Sequence, residues 1–230
     1  MDLVRASHLY KVFGKNERQV IERLKAGESR EELASLGTAA VIDVSFEVAK
    51  GETFVVMGLS GSGKSTLIRM INGLWSPSEG TVEVAGKVVS DMNDAQLRVL
   101  RRDHVSMVFQ HFALLPHLTV RENAAYGLKL QGKLKQKERL EKANEWLNTV
   151  GLNGWGDKYP HQLSGGMQQR VGLARALAAE TDILLMDEAF SALDPLIRRE
   201  MQDQLLELQG ALNKTIIFIT HDLNEAMYLG

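Results

Sequence analysis

The chain contains 230 residues, of which 44% are hydrophobic and 24% are charged, and its formal net charge is −2. This length can bury a sizeable core and favours one domain, while the near-neutral charge provides no field that would attract nucleic acid or an anionic membrane. The absence of cysteine excludes disulfides and thiolate chemistry, and no apolar run approaches the roughly 18 residues of a membrane-spanning helix, so a membrane role requires a partner.

Several strand signals appear in the first half of the sequence, including a buried-strand candidate at residues 105–109. Residues 3–9 predict a short edge strand with a weak pattern, followed by a turn at Gly14. Residues 41–48 and 81–85 alternate apolar and polar side chains with the period of two that a half-buried strand shows. We therefore expect an antiparallel β edge beside the main core.

Residues 15–38 interrupt the first two strand signals and predict a small helical insert. Three apolar residues share one helical face: Val20, Ile21 and Leu24. Gly27 would end this helix, and Ser29 with Glu32 forms a capping box that would begin a second short helix through residue 36. This pattern is explained equally well by an insert that has a function and by a surface loop that has none.

Residues 58–66 contain the central pattern of the sequence, Gly-Leu-Ser-Gly-Ser-Gly-Lys-Ser-Thr, which fits G-x-x-x-x-G-K-S/T without a mismatch. An apolar run at residues 53–57 precedes the loop and a helix-like run follows it, which is the context that a phosphate loop needs. Inward-pointing N–H groups and the helix N-terminus would bind phosphate, Lys64 would supply charge and Ser65 can reach a magnesium ion. The predicted nucleotide contacts are Gly58, Leu59, Ser60, Gly61, Ser62, Gly63, Lys64, Ser65 and Thr66.

Residues 110–180 change in character and predict a helical subdomain inserted into the core. A capping box at Thr119 and Glu122 begins one helix toward residue 130. An apolar stripe predicts a second helix, and it consists of Leu140, Ala143, Leu147 and Val150. A third helix is expected over residues 164–179.

Residues 183–187 and 215–220 are near-continuous apolar runs, which are typical of parallel-sheet strands. The first run ends in Asp187 and Glu188, at the end of a parallel strand where ligands bind. Asp187 suits a magnesium-holding role because Mg²⁺ prefers oxygen ligands, and Glu188 suits polarisation of an attacking water in phosphoryl transfer. A further helix is expected from Pro195 to about Leu208. The sequence thus predicts an α/β fold with a parallel sheet, an antiparallel β edge and an inserted helical lobe.

Residues 163–170, Leu-Ser-Gly-Gly-Met-Gln-Gln-Arg, resemble the signature sequence of ABC-type ATPases. They lie between the phosphate loop and the acidic strand end, as in that family. Gln110 matches the Q-loop, residues 191–194 match the D-loop and His221 matches the switch histidine, all in the family's order. The resemblance covers nearly the whole chain and implies a single ABC ATPase domain over residues 1–230 with a P-loop NTPase core.

The resemblance also implies a role for each of these residues. Members of this family work as head-to-tail dimers that enclose two ATP molecules, each on the phosphate loop of one subunit and under the signature of the other. The implied catalytic residues are Glu188, His221 and Gln110, and the implied magnesium ligands are Ser65, Gln110 and Asp187. The implied contacts to ATP in trans are Ser164, Gly165, Gly166, Gln168 and Asp194.

The family's adenine-stacking aromatic falls just before the first turn, where this chain has Phe13. Phenylalanine stacks as tyrosine does but lacks the hydroxyl group. Tyr10 is the rival for this position, and the turn glycine Gly14 favours Phe13.

Within the family, the chain resembles the ATP-binding subunits of glycine betaine/proline osmoprotectant importers. The segments that carry this resemblance are residues 58–66, 107–116 and 185–195, together with the insert between Phe13 and Val41. It implies an ATP-hydrolysing subunit that powers uptake of quaternary amine solutes through a separate permease. Importers of choline, trimethylamine N-oxide or histidine are the alternatives, and a soluble non-transport ABC ATPase is a further class.

The implied partners are a second copy of the chain, transmembrane permease subunits and, indirectly, a periplasmic or extracellular substrate-binding protein, but no nucleic acid. The implied location is peripheral, at the cytoplasmic face of the bacterial inner membrane. Residues 112–118 would receive a permease helix or pack within the helical lobe, and both interpretations stay open. Relatives continue past Gly230 with further strands and often a regulatory module, so we expect that module to be missing or the chain to be a fragment.

Overall fold

The computed structural model describes residues 2–110, 112–191 and 193–230. Its chain forms two compact units, one of Met1–Lys50 with Val56–Arg98 and one of Gly51–Val55 with Val99–Gly230. Two segments that the sequence predicted as functional, residues 107–116 and 191–194, contain His111 and Ala192, which lie outside the described residues.

The elements in chain order are β1 (Asp2–Phe13), α1 (Glu17–Lys25), β2 (Thr38–Ala49), β3 (Thr53–Met57), α2 (Lys64–Ile71), β4 (Glu79–Val84), β5 (Lys87–Val88), α3 (Asp94–Asp103), β6 (Val105–Val108), α4 (Val120–Ala124), α5 (Tyr126–Gln131), α6 (Gln136–Thr149), α7 (Gly165–Ala178), β7 (Ile183–Asp187), α8 (Pro195–Leu212), β8 (Thr215–Thr220) and α9 (Leu223–Leu229), with short 3-10 helices at Val89–Asp91 and Pro160–Gln162. The sequence did not predict β5 or α9. In the described part of the chain, no helix combines the length and the apolar character needed to cross a bilayer.

The first unit contains an antiparallel sheet with the strand order β2-β1-β4-β5. Because β1 pairs with β2 on one side and with β4 on the other, it is an inner strand, and the prediction of a short edge strand over residues 3–9 is wrong. His8 has a φ of +47°, and both pairings shift register around it. This irregularity breaks the apolar alternation after Ala6, which explains the weak pattern in the sequence.

The insert between β1 and β2 packs against β1 through a small apolar cluster. Its buried members are Tyr10, Val12, Val20, Ile21, Leu33 and Ala39. Helix α1 ends before Gly27, whose φ is +97°, as predicted. The predicted second helix is wrong: the Ser29 and Glu32 capping bonds form, but residues 30–36 adopt turns because so short a segment cannot overcome the cost of helix nucleation.

The second unit contains a sheet with the strand order β3-β8-β7-β6. Strands β6 and β7 are parallel, and so are β7 and β8, with Val108 opposite Met186 and Met186 opposite Phe218. Every residue of β7 and β8 is buried, which accounts for their continuous apolar sequences. The chain therefore leaves β6, β7 and β8 at the same edge of the sheet.

Helices α4 to α7 provide much of the apolar core of the second unit. The predicted capping box at Thr119 and Glu122 is present, and the Thr119 amide and hydroxyl hold the pKa of Glu122 below its usual value. The helix predicted toward residue 130 is interrupted at Ala125, which separates α4 from α5. Ser164 caps α7 as predicted, and α8 continues past the predicted end to Leu212.

Asn123 anchors the segment that leads into α4. Its side chain is fully buried, its amide nitrogen lies 3.0–3.1 Å from the carbonyl oxygens of Leu115, Leu118 and Thr119, and its oxygen accepts from the Leu115 amide at 2.8 Å. A buried amide that satisfies several backbone groups is costly to remove, because those groups then lose their partner. One side chain thus fixes the path of residues 115–119.

Replacing Asn123 by alanine is expected to lower the free energy of unfolding by about 2–4 kcal/mol, since buried backbone groups lose their hydrogen bonds. The melting temperature should fall by roughly 5–15 °C. Asn148→Ala, at an exposed position of α6, is the matched control and should leave the melting temperature nearly unchanged. Equal shifts for both variants would contradict the anchoring role of Asn123.

Candidate functional site

The loop of residues 58–66 lies in the first unit and leads directly into α2. Its Gly63 occupies the N-cap position with a φ of +92°, and no side chain caps the first turn. A Cβ atom at Gly63 would lie 1.9 Å from the carbonyl oxygen of Ala40, so only glycine fits there. The uncapped helix N-terminus is available to bind an anion, as the sequence predicted.

Lys64 holds this loop closed from within. Its ammonium group donates to the carbonyl oxygens of Gly58 and Leu59, both at 2.8 Å, and the residue is only 7% exposed. The loop residues from Leu59 to Gly61 are exposed, whereas Thr66 in the first turn of α2 is buried. The positive charge is therefore placed inside a loop whose outer backbone faces solvent.

The first unit also carries a partly exposed aromatic surface at the end of β1. Phe13 is 37% exposed and meets Trp75 edge to face, with ring centroids 5.0 Å apart, and the Lys11 ammonium lies 5.2 Å from the Phe13 ring centroid. Tyr10, the rival for adenine stacking, is only 5% exposed and packs under the insert. Of the two candidates, Phe13 is the one with a ring face that a base can reach.

Trp75 was not among the site residues predicted from the sequence. The Arg69 guanidinium lies 5.1 Å from the Trp75 ring centroid and holds it from the side of α2. A tryptophan beside a predicted phosphate loop is a signal that could have identified it.

The second unit brings the three predicted catalytic side chains together at the edge where β6, β7 and β8 end. The amide nitrogen of Gln110 donates to Glu188 Oε2 at 3.2 Å, and His221 Nδ1 lies 3.3 Å from the same oxygen. The Glu188 side chain is 14% exposed and its φ is +47°. Such a conformation is uncommon for a residue other than glycine.

Asp187 ends β7 and is 1% exposed. Its carboxylate and the Gln110 amide supply the oxygen donors that Mg²⁺ prefers, so these residues fit the predicted ion. The described residues contain no group of three or more His, Asp or Glu side chains that could hold a metal alone. Mg²⁺ usually binds through one or two carboxylates and completes its shell with water and substrate phosphates.

The segment after Gln110 is fastened to α7 by Arg175. Phe112 and Ala113 have φ values of +56° and +48°, and their carbonyl oxygens accept from the Arg175 guanidinium at 3.0 and 2.6 Å. Burial lowers the pKa of Arg175. Two consecutive residues in the left-handed region are thus held by one side chain.

The predicted trans contacts lie at the surface of the second unit. Ser164 caps α7 by accepting from the Met167 amide at 3.3 Å, and the Gln168 side chain donates to the Leu163 carbonyl. Ser164 and Gly165 are exposed, and Asp194, which caps α8, is exposed as well. Gly166 packs against Leu193, since an added Cβ atom would lie 3.2 Å from the Leu193 side chain. The signature and the Asp194 segment are therefore neighbours that face outward.

Glu188 and His221 also line a small recess of about 40 Å³. Its lining includes Arg198, Asp222 and Glu225, which the sequence reasoning did not identify. Asp222 follows His221 and caps α9. An aspartate at a helix start is a recognisable capping pattern, and this pattern could have identified Asp222 from the sequence.

Gly63→Ala is expected to weaken ATP binding by about 10-fold to 100-fold or more, since left-handed strain of about 1–3 kcal/mol adds to overlap with Ala40. Gly86→Ala is the matched control because Gly86 has a φ of +74° but open space around it. That control should lose some stability and keep its ATP affinity. Equilibrium titration with ATP checks both variants, and unchanged affinity in Gly63→Ala would contradict the role of the close approach.

Comparison with known proteins gives consistent results. The family described as "ABC transporter" matches residues 41–191. The chain is 55% identical over 99% of its length to the glycine betaine transport ATP-binding protein OpuAA of Bacillus subtilis, and 52% identical over 97% to the glycine betaine/proline betaine ATP-binding protein ProV of Escherichia coli. It is 49% identical over 99% to the trimethylamine N-oxide transport ATP-binding protein TmoW of Ruegeria pomeroyi.

The chain spans 54% of the length of OpuAA, 56% of ProV and 67% of TmoW. Among solved structures it is similar to the dimeric ATP-binding cassette MJ0796 bound to ADP and Pi. That match has a TM-score of 0.85 and 33% identity, and it covers 98% of this chain and 90% of the other. The family match, the relatives and the solved structure agree: the chain belongs to the ABC transporter ATP-binding family, with the ABC ATPase fold.

Proposed function

We propose that the chain is the ATP-hydrolysing subunit of an importer that takes up glycine betaine, proline betaine or a related quaternary amine. The observation that carries this proposal is the 55% identity to a glycine betaine transport ATP-binding protein over 99% of the chain. The cluster of Gln110, Glu188 and His221 supports hydrolysis. The three side chains meet at the carboxyl ends of parallel strands, which is where ligands bind in open α/β sheets.

In this proposal the phosphate loop binds the phosphates of ATP through its backbone N–H groups and Lys64. The Lys64 ammonium, held by two carbonyl oxygens, would transfer to the outer phosphates when ATP binds. The adenine ring would stack on Phe13, and stacking of a base on an aromatic ring contributes about 1–3 kcal/mol to binding. The remaining nucleotide contacts follow the loop from Gly58 to Thr66.

Glu188 would accept the proton of the attacking water. Its carboxylate is oriented by Gln110 and His221, which both contact Oε2. The proposed holders of Mg²⁺ are Ser65, Gln110 and Asp187, and the bound ion would neutralise charge on the phosphates. Phosphoryl transfer needs mainly positioning and charge neutralisation, and these side chains would supply one subunit's share of both.

A second copy of the chain would complete each site. Ser164, Gly165 and Asp194 are exposed, so they are accessible to a nucleotide held by another subunit, and Gly166 and Gln168 follow them in the first turn of α7. The similar solved cassette is dimeric. We therefore propose a head-to-tail dimer in which ATP lies between the loop of one subunit and the signature of the other.

The further partners in this proposal are transmembrane permease subunits and, through them, a substrate-binding protein outside the membrane. The chain would sit peripherally on the cytoplasmic face of a bacterial inner membrane. The 49% identity to TmoW supports trimethylamine N-oxide as a second candidate solute. The ATPase subunit itself does not touch the solute, so the assembled transporter must be tested.

Glu188→Gln is expected to retain ATP affinity and to reduce kcat by roughly 10²–10⁴, the usual contribution of a general base. In the presence of ATP this variant should also accumulate as a dimer, which size-exclusion chromatography with light scattering would detect. Glu207→Gln, an exposed position on α8, is the matched control and should hydrolyse ATP normally. A wild-type rate in Glu188→Gln would show that another group activates the water.

Expression together with the permease encoded by neighbouring reading frames is expected to yield a stable complex. In proteoliposomes that also contain the substrate-binding protein, glycine betaine should stimulate ATP turnover several-fold, while histidine should not. Stimulation by trimethylamine N-oxide alone would favour the second candidate solute. Copurification of ribosomes or nucleic acid in place of a permease would contradict an importer.

A further inference from the structure

Arg198 connects two loops of the second unit that carry different parts of the proposed site. It lies in the first turn of α8, four residues after Asp194. Its Nη2 donates to the Leu193 carbonyl oxygen at 3.1 Å, and its Nη1 lies 3.5 Å from Asp222 Oδ2. One guanidinium group therefore bridges the segment that ends in Asp194 and the loop that carries His221.

The loop of His221 is held by several hydrogen bonds where Arg198 meets it. Asp222 Oδ1 accepts the amides of Asn224 and Glu225 at 2.8 and 3.4 Å, which caps α9. The Asp222 amide donates to Thr220 Oγ1 at 3.0 Å. Because these bonds tie Asp222 to the loop backbone, a shift of Asp222 would also shift the neighbouring residue His221.

Glu225 ties the same loop to α8 from behind. It is 6% exposed, it accepts from Gln202 Nε2 at 3.0 Å, and the Thr220 hydroxyl also donates to it. Gln202 lies one helical turn after Arg198 on α8. Two successive turns of α8 thus contact the His221 loop, one through a buried neutral–carboxylate bond and one through an ion pair at the recess.

The chemistry of the bridge is specific to arginine. Its planar fork presents separate N–H groups to a carbonyl and a carboxylate, whereas a lysine ammonium is a point charge on a flexible stem. The ion pair is partly exposed, with 29% and 34% of the two side chains accessible, so its direct contribution to stability is small. A geometrical role explains the arrangement better than a stabilising one.

We propose that Arg198 is a positioning residue that couples the Asp194 segment to the His221 loop. This inference rests on the proposed function, in which a partner subunit contacts Asp194 and His221 orients Glu188. Engagement of Asp194 by the partner would move the Leu193 carbonyl and, through Arg198 and Asp222, set His221 on the Glu188 carboxylate. Hydrolysis would then depend on the presence of the partner as well as on ATP.

The kinetic test compares Arg198→Lys with Arg199→Lys. Arg199 is the neighbouring residue on α8, and its guanidinium pairs with Asp203 and lies over the Tyr228 ring, away from the recess. Arg198→Lys is expected to lower kcat by about 10- to 100-fold, the range that loss of a charge-assisted contact gives. ATP affinity and melting temperature should match those of the control, which should keep the wild-type kcat.

A second arm uses Asp222→Asn, because asparagine retains the helix cap while removing the charge. If the two residues act through one contact, the double variant Arg198→Lys with Asp222→Asn should be no slower than the slower single variant. If the fold-losses in kcat of the two single variants multiply in the double variant, the two residues act independently and the coupling is overturned.

Hydrogen exchange tests the coupling directly. In a Glu188→Gln background, ATP should change amide exchange both in residues 193–197 and in residues 220–225. Adding Arg198→Lys should abolish the change at residues 220–225 and leave the change at residues 193–197. A response of both segments in the Arg198 variant, or a wild-type kcat in Arg198→Lys, would overturn the inference. Absence of ATPase activity in the wild-type chain would instead overturn the proposed function, and the inference with it.

Discussion

Parallel pairing of β6, β7 and β8 determines where chemistry can occur in the second unit. Consecutive strands with the same direction end at one edge, so the segments after Val108, Asp187 and Thr220 begin side by side. Gln110 and His221 lie just after β6 and β8, and both contact a single carboxylate oxygen of Glu188. The left-handed backbone at Glu188 turns its side chain toward these neighbours, at a conformational cost that the surrounding hydrogen bonds offset.

The sequence predicted the parts of the fold that depend on local rules. Continuous apolar runs identified β7 and β8 because both faces of these strands are buried. A capping box located the start of α4, at Thr119, because a cap is a contact within four residues. The phosphate loop was recognisable for the same reason, since its glycine and lysine act within a few residues of each other.

Features that depend on tertiary contacts were missed. The irregularity at His8 obscured the alternation of β1, and its position inside the sheet depends on pairing with β4 far along the chain. Trp75 becomes relevant only because the fold brings it to Phe13. Arg198 belongs to no sequence motif, and its contacts arise because the fold places it between two loops. No local pattern reports such a meeting of distant segments.

The left-handed pair Phe112 and Ala113 has a consequence for the length of the chain after Gln110. Each residue in that region costs about 1–3 kcal/mol, and the two hydrogen bonds from Arg175 hold the pair there. A helical conformation advances about 1.5 Å per residue and an extended one about 3.3 Å. Loss of the Arg175 contacts would therefore lengthen this segment by about 3–4 Å. One guanidinium group thus sets how far the connection after Gln110 can reach.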